Sequence, residues 1–79
     1  MKVELQYFSA LRDLGGPESV EIPPESTVGT LIENLYSQVP KLRDWEKHLL
    51  IAADTEWVDG KHVIQPGECI SLMPPVQGG

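Results

Sequence analysis

The chain has 79 residues, a length that suits one small domain with a thin core. Twelve acidic against six basic side chains give a net charge of −6, which opposes binding to the phosphate backbone of nucleic acid. We therefore expect no nucleic-acid partner, and instead a protein or enzyme with a basic docking face.

Cysteine content and the N-terminal segment exclude several further classes. The single cysteine, Cys69, cannot form an intramolecular disulfide, and with His48 and His62 it lacks the spacing of a zinc site. The start, MKVELQYF, has no apolar run of the kind found in signal peptides, and no stretch approaches the roughly 18 apolar residues of a membrane span. We expect a cytoplasmic protein with no metal and no membrane contact.

The first third of the chain predicts two neighbouring strands. KVELQY alternates polar and apolar side chains, which is typical of a strand with one face on a core. Phe8 then adds a large apolar group on the polar side. SALRDL predicts a short turn or a single helical turn, and ESVEI predicts a strand that returns beside the first, with Val20 and Ile22 facing inward.

One helix is predicted between two proline-containing segments. Ser26 and Thr27 are both suitable N-cap residues. The apolar residues that follow recur at helical spacing and form a single stripe: Val28, Leu31, Ile32, Leu35 and Val39. Pro40 ends the helix, because the residue before a proline is disfavoured in the helical region.

The second half predicts two or three irregular strands. KLRDWEKH is ambiguous, but a short helix there would use Leu42 and Trp45 to close one end of the core. LLIAA predicts a strand buried on both faces, WV another short strand after the turn DTE, and CISLM the last. The elements fit an α+β fold in which a mixed sheet of four or five strands packs on one main helix.

The sequence resembles the small, sulfur-carrying subunit of molybdopterin synthase, a ubiquitin-like β-grasp family, over nearly its whole length. The resemblance rests on VELQYFSALRDL, STVGTLIENL, LLIAAD before WVDG and, above all, PGECISLMPPVQGG. It implies a β-grasp domain over residues 1–73, with the first and last strands parallel at the centre, and a functional tail over residues 74–79. The chain departs from the family at Gln77, where a small hydroxyl residue is frequent, and at Asp54, where Asn is common.

The tail has physical properties that agree with a carrier role. Pro74 and Pro75 cannot donate to a β-ladder and stiffen the base of the tail, so that it projects from the sheet. The six residues from Pro74 onward, Pro74, Pro75, Val76, Gln77, Gly78 and Gly79, span roughly 20 Å when extended. Gly78 and Gly79 lack side chains, so that a narrow channel can admit them.

The resemblance also implies the chemistry. A separate adenylating enzyme uses ATP to activate the carboxylate of Gly79, and a sulfur donor then displaces AMP to leave a thiocarboxylate. The large synthase subunit accepts the tail, and two such sulfurs convert cyclic pyranopterin monophosphate into molybdopterin. On this interpretation the chain has no catalytic residue of its own and holds no permanent cofactor.

Three apolar residues are candidates for docking these partners. Alternation places Phe8 and Met73 on the outer face of the sheet, and Trp57 follows the DTE turn onto the same face. We expect them to contact the adenylating enzyme and the large subunit, since exposed apolar patches often mark partner surfaces. Isolated apolar side chains are, however, also common on protein surfaces.

The remaining reactive side chains have ordinary structural interpretations. Cys69 falls on the outer face of a strand without a paired base, which favours a structural thiol over a sulfur carrier. His48 and His62 are expected on the surface, and Trp45 is expected to cover the core.

Alternative functions share the same ending. A terminal Gly-Gly is also compatible with a frayed end, with a sulfur carrier for thiamine thiazole synthesis, with a ubiquitin-like modifier that forms an isopeptide bond, or with a plain interaction module. Pro-Pro-Val before Gln77 favours the molybdopterin branch.

Overall fold

A computed structural model of the chain describes residues 1–75 as a five-stranded sheet packed on one α-helix. The strands are β1 (Lys2–Tyr7), β2 (Ser19–Glu21), β3 (Leu50–Ala53), β4 (Glu56–Val58) and β5 (Cys69–Met73), and the helix is α1 (Val28–Gln38). Two 3₁₀ helices cover Ser9–Leu14 and Pro40–Trp45. The sheet order is β2-β1-β5-β3-β4, which confirms the predicted α+β class and the mixed sheet.

The two central strands are the first and the last in the sequence. β1 and β5 are parallel, with Leu5 beside Ile70 and Tyr7 beside Leu72, whereas the other neighbouring strands are antiparallel. This arrangement is the one that the family resemblance implied. The C-terminal end of β5 therefore lies between β1 and β3, at one end of the sheet.

The predicted hairpin forms with the expected faces. Val3 of β1 lies opposite Val20 of β2, and both are buried on the helix side. SALRDL, predicted as a short turn or a single helical turn, forms a 3₁₀ helix over Ser9–Leu14 that buries Leu11 completely. Gly15 then reverses the chain with φ +72°, a conformation that glycine adopts without steric cost.

Helix α1 begins and ends where its sequence predicts. The Thr27 side chain caps it by accepting a hydrogen bond from the Thr30 amide at 3.3 Å. The helix ends at Gln38, two residues before Pro40. The predicted stripe is buried, and Tyr36, which was not part of it, is also buried because its ring lies beneath the guanidinium of Arg43.

The core lies between α1 and the inner face of the sheet. It is formed by apolar side chains from every strand except β4, from both 3₁₀ helices, from α1 and from connecting segments. Its least exposed members are Leu11, Leu31, Leu35, Leu42, Ile64, Ile70, Leu72, Val3 and Val28. Trp45 is half-buried and packs against this cluster, as predicted for a residue that covers one end.

Strand β3 differs from its prediction. We expected the whole LLIAA run to be buried on both faces, but Leu50 and Ile51 are only half-buried, while Ala52 and Ala53 are buried. Leu50 points to the outer face of the sheet beside Met73, where residues 1–75 form no second layer. Ile51 points to the helix side and borders a groove between α1 and β3.

Asp54 lies in a turn conformation that suits Asp and Asn. Its φ of +55° lies in the left-handed region, which Asn and Asp adopt more readily than other side chains. Its Oδ1 accepts a hydrogen bond from the Cys69 amide at 3.0 Å, and its own amide donates to the Cys69 carbonyl at 2.8 Å. An Asn side chain offers the same acceptor.

Replacing Asp54 tests this explanation. Asp54→Asn should change the free energy of unfolding by less than about 0.5 kcal/mol, because conformation and acceptor are both retained. Asp54→Ala should cost about 1–2 kcal/mol, because the Cys69 amide loses its partner and alanine is strained at positive φ. Urea unfolding measures both, with Asp44→Ala on the exposed surface as the matched control. Equal destabilisation by Asn and Ala would contradict the explanation.

Candidate functional site

The base of the tail is the end of the central strand β5. Met73 is the last paired residue, opposite Leu50 of β3. Pro74 and Pro75 follow, and neither has an amide hydrogen to continue the ladder. The chain therefore leaves the sheet at the middle of one end, between β1 and β3.

The tail residues beyond this point lie outside the described residues. The predictions for Val76, Gln77, Gly78 and Gly79 are therefore not tested by the structure. Of the predicted tail, Pro74 and Pro75 are described, and both are half-buried.

A groove of ≈ 560 Å³ lies directly at the base of the tail. We call it the tail-base groove, and it is lined by Phe8, Ser9, Ala10, Trp45, Met73, Pro74 and Pro75. None of these side chains is charged, and the aromatic, thioether and proline groups form an apolar wall. The groove thus joins the point of tail exit to two aromatic side chains.

The predicted docking residues Phe8 and Met73 meet in this groove. Phe8 follows β1 in an extended conformation, and its amide donates to the Leu72 carbonyl at 3.1 Å, so that it still continues the pairing of β1 with β5. Both side chains are half-buried instead of fully exposed, because they border the same groove. Trp57 does not line the groove.

Trp57 is connected to the groove through two residues of β3. It lies opposite Ala52 on the edge strand β4, Leu50 is two residues from Ala52 on the same face, and Leu50 lies opposite Met73. We call this row the outer apolar band: Phe8, Met73, Leu50, Ala52 and Trp57. Trp57 has 66% of its surface exposed and is the most prominent side chain of the band.

Sequence reasoning missed Leu50 and the groove-facing role of Trp45. Leu50 was assigned to a strand buried on both faces, and only its pairing with Met73 places it in the band. The assumed parallel pairing of β1 and β5 could have suggested which strand flanks β5 on its other side. Trp45 comes from a 3₁₀ helix, whose position no local pattern specifies.

Cys69 lies on β5 opposite Glu4 of β1 and is half-buried. Its cross-strand neighbour is thus a carboxylate and offers no basic partner. The interpretation as a structural thiol agrees with this environment.

The two histidines differ from one another. His48 is exposed, as predicted. His62 is not an ordinary surface residue, because it is half-buried and its Nε2 lies 3.0 Å from Glu68 Oε1. The same carboxylate accepts the Gln65 amide at 2.8 Å, so that the pair joins the two ends of the turn before β5.

Residues 1–75 contain neither a cluster of metal-binding side chains nor a helix suited to cross a membrane. No group of three or more His, Cys, Asp or Glu side chains in this part of the chain is arranged to hold a metal ion. No helix formed by these residues combines the length and apolar character needed to cross a membrane.

The sequence of the chain matches a known protein family. Residues 5–79 match the ThiS family. The chain belongs to the ThiS family. A curated relative from Homo sapiens, named "Molybdopterin synthase sulfur carrier subunit", is 30% identical, and the alignment covers 99% of this chain and 94% of the relative.

Solved structures with the same fold agree with the family assignment. A protein from Pyrococcus furiosus described as "Putative molybdopterin converting factor, subunit 1" superposes with a TM-score of 0.82 at 26% identity, covering 96% of this chain and 99% of that one. A chain from the "Protein-protein complex of subunit 1 and 2 of Molybdopterin-converting factor" of Helicobacter pylori superposes with a TM-score of 0.69 at 25% identity, covering both chains fully. The five-stranded sheet and its helix are therefore a β-grasp fold.

Proposed function

We propose that the chain is the sulfur carrier subunit of molybdopterin synthase. The carboxylate of Gly79 is adenylated by a partner, converted to a thiocarboxylate, and donates its sulfur to cyclic pyranopterin monophosphate. The observation that carries the proposal is the full-length similarity to the human sulfur carrier subunit, combined with a tail that follows the central strand β5 and begins with two prolines.

The position of Pro74 and Pro75 supports this role physically. The tail starts from a strand that is paired on both sides, so that its base is fixed to the rigid part of the fold. A fixed base lowers the conformational entropy that is lost when an extended tail enters a channel. The two terminal glycines add no side chain that would obstruct a narrow site.

The catalytic groups belong to the partners on this proposal. A carboxylate is a poor electrophile, and adenylation gives it a leaving group, AMP, at the expense of ATP. The sulfur donor attacks the activated carbonyl and displaces AMP, and the resulting thiocarboxylate sulfur is a better nucleophile than a carboxylate oxygen. The chain itself supplies no general acid or base, and so acts as a carrier within a sulfurtransferase complex.

We further propose that the outer apolar band docks the large subunit and the adenylating enzyme. One end of the band lies at the tail-base groove, so that a partner that binds the tail also covers Phe8 and Met73. Large aromatic side chains such as Trp57 frequently dominate binding energy at interfaces. The Helicobacter pylori complex of two subunits, in which one chain has the same fold, supports the large subunit as one of the partners.

A second candidate is a carrier in thiamine thiazole synthesis. The match to the ThiS family favours it, because that family shares the fold and the terminal Gly-Gly. The two candidate functions share the formation of the thiocarboxylate and differ only in the enzyme that uses its sulfur.

Intact-mass measurement tests the carrier chemistry. Incubation with ATP, sulfide and an adenylating enzyme should raise the mass of the chain by the difference between sulfur and oxygen. A variant without Gly79 should gain no mass, because its terminal residue is misplaced in the adenylating site. A covalent adduct with a second protein would instead support a modifier, and an unchanged mass would contradict the carrier proposal.

The docking surface is tested by charge substitution at Trp57. Trp57→Glu should weaken binding to the large subunit at least tenfold, because loss of an interface anchor costs about 2 kcal/mol or more. Its free energy of unfolding should change by less than about 0.5 kcal/mol, as expected for an exposed side chain. Calorimetric titration and urea unfolding measure the two quantities.

Val63→Glu provides the matched control, because Val63 is the other large exposed apolar side chain among residues 1–75 and lies outside the band. It should leave binding unchanged. Equal effects of the two substitutions on affinity would contradict docking through the band.

A further inference from the structure

A second groove lies on the opposite side of the sheet from the outer apolar band. Its volume is ≈ 620 Å³, and it runs between α1 and β3. Val28, Ile32 and Tyr36 of the helix form one apolar wall, and Ile51 of β3 forms the other. We call it the helix-side groove.

One end of the helix-side groove is formed by two glycines. The Gly29 amide donates to the Gly60 carbonyl at 2.9 Å, which joins the first turn of α1 to the turn after β4. A Cβ atom on Gly29 would lie only 3.1 Å from that carbonyl oxygen. The shape of this end of the groove is therefore set by a backbone contact and does not depend on the rotamers of flexible side chains.

The charged side chains that line the groove are both acidic. Glu33 projects from α1 and Glu46 from the end of the second 3₁₀ helix. Burial raises the pKa of the Tyr36 hydroxyl above its ordinary value, and the Glu46 and Glu33 carboxylates raise that pKa further while Arg43 lowers it. The two carboxylates thus direct a negative field at the ring that forms the groove wall.

Arg43 only partly neutralises this field. Its guanidinium lies over the Tyr36 ring, 4.6 Å from the centroid, and reaches Glu33 at 3.9 Å and Glu46 at 3.6 Å. All three charged side chains are about half exposed or more, and ion pairs of this kind contribute little, at most about 1 kcal/mol each. One positive charge between two negative ones leaves the cluster with a net charge of −1, which can attract a further cation.

The groove borders an unpaired sheet edge. β4 is the last strand in the sheet order and pairs only with β3 among the described residues. An edge strand presents a row of N–H and C=O groups that an extended segment can use. Gly60, two residues after β4, lines the groove, so that the C-terminal end of the edge strand adjoins the groove.

We propose that the helix-side groove and the free edge of β4 bind an extended segment of a partner protein in which basic residues flank small apolar ones. The main chain of that segment pairs with β4, its apolar side chains on the helix side face the opening of the groove beside Gly60, and its Lys or Arg residues face Glu33 and Glu46. Addition of a strand to a sheet edge combines main-chain affinity with side-chain specificity in this way.

A second copy of this chain is a poorer occupant. Pairing two β4 edges would bring two sets of groove carboxylates together, and the chain already carries a net charge of −6. Like charges brought close across an interface oppose association.

This proposal goes beyond the carrier function and does not depend on it. The outer apolar band lies on the other face of the sheet, and only Trp57 of the band belongs to β4. A segment in the groove therefore leaves Phe8, Leu50 and Met73 accessible. The site would allow a partner to hold the carrier while its tail remains available.

An NMR titration of the full chain tests the proposal. The probe is an acetylated and amidated peptide, Arg-Val-Ile-Val-Arg, added to ¹⁵N-labelled protein at low salt. Shift changes should be confined to β4, Gly60 and the groove side of α1, with weaker binding as salt screens the charges. The peptide Glu-Val-Ile-Val-Glu, which has the same apolar centre, should bind at least tenfold more weakly.

Two matched double variants distinguish the effect of the groove carboxylates on peptide binding from the effect of the net charge of the chain. Glu33→Gln with Glu46→Gln should weaken binding of the basic peptide at least about fivefold, the effect of two exposed ion pairs. Glu18→Gln with Glu25→Gln removes the same charge from exposed positions outside the groove and should have less than a twofold effect.

Three peptide-binding results would overturn the proposal. They are equal affinity for the two peptides, equal losses in the two double variants, and shift changes that map to Leu50 and Met73 instead of β4. Sedimentation of the peptide-free chain as a dimer through β4 would also overturn it, because the edge would then be occupied by a second copy.

Discussion

The parallel pairing of β1 with β5 is the constraint on which the rest of the structure depends. It places the last strand between two others, where Ile70 and Leu72 are completely buried. Removing part of a side chain at such a position costs about 2–5 kcal/mol, so that the strand is among the most firmly held parts of the fold. Pro74 directly follows β5. This firmly held strand is therefore also the base of the proposed functional tail.

This arrangement separates stability from chemistry. The proposed reactive group is the backbone carboxylate of Gly79, beyond the residues that the structure describes. Activation and transfer are assigned to partner enzymes, so that the domain needs no catalytic side chains and its surfaces are available for recognition. The outer apolar band and the helix-side groove lie on opposite faces of the sheet, and the band has no charged side chain whereas the groove has apolar walls beside two carboxylates. Two surfaces of such different chemistry suit two different kinds of partner.

Local sequence patterns predicted the features that depend on local structure. Alternation identified the inward faces of β1 and β2, and spacing identified the stripe and the Thr27 cap of α1. The features that were missed depend on contacts between distant segments. Leu50 joins the outer band only through Met73, Tyr36 is buried beneath Arg43, and His62 meets Glu68 across a turn. Of the candidate site, Phe8 and Met73 were placed by alternation and adjacency, whereas the grooves require the full topology.

The central claim is that the terminal carboxyl of Gly79 is the group that carries sulfur, and a single-turnover assay with the large subunit and the pterin precursor tests it most directly. The chain is supplied either with a preformed thiocarboxylate or with its ordinary carboxylate, in both cases without ATP and adenylating enzyme. The account predicts that the thiocarboxylate form yields the dithiolene product and returns to the carboxylate, while the carboxylate form yields none. Product formation at equal rates from the two forms would contradict the account.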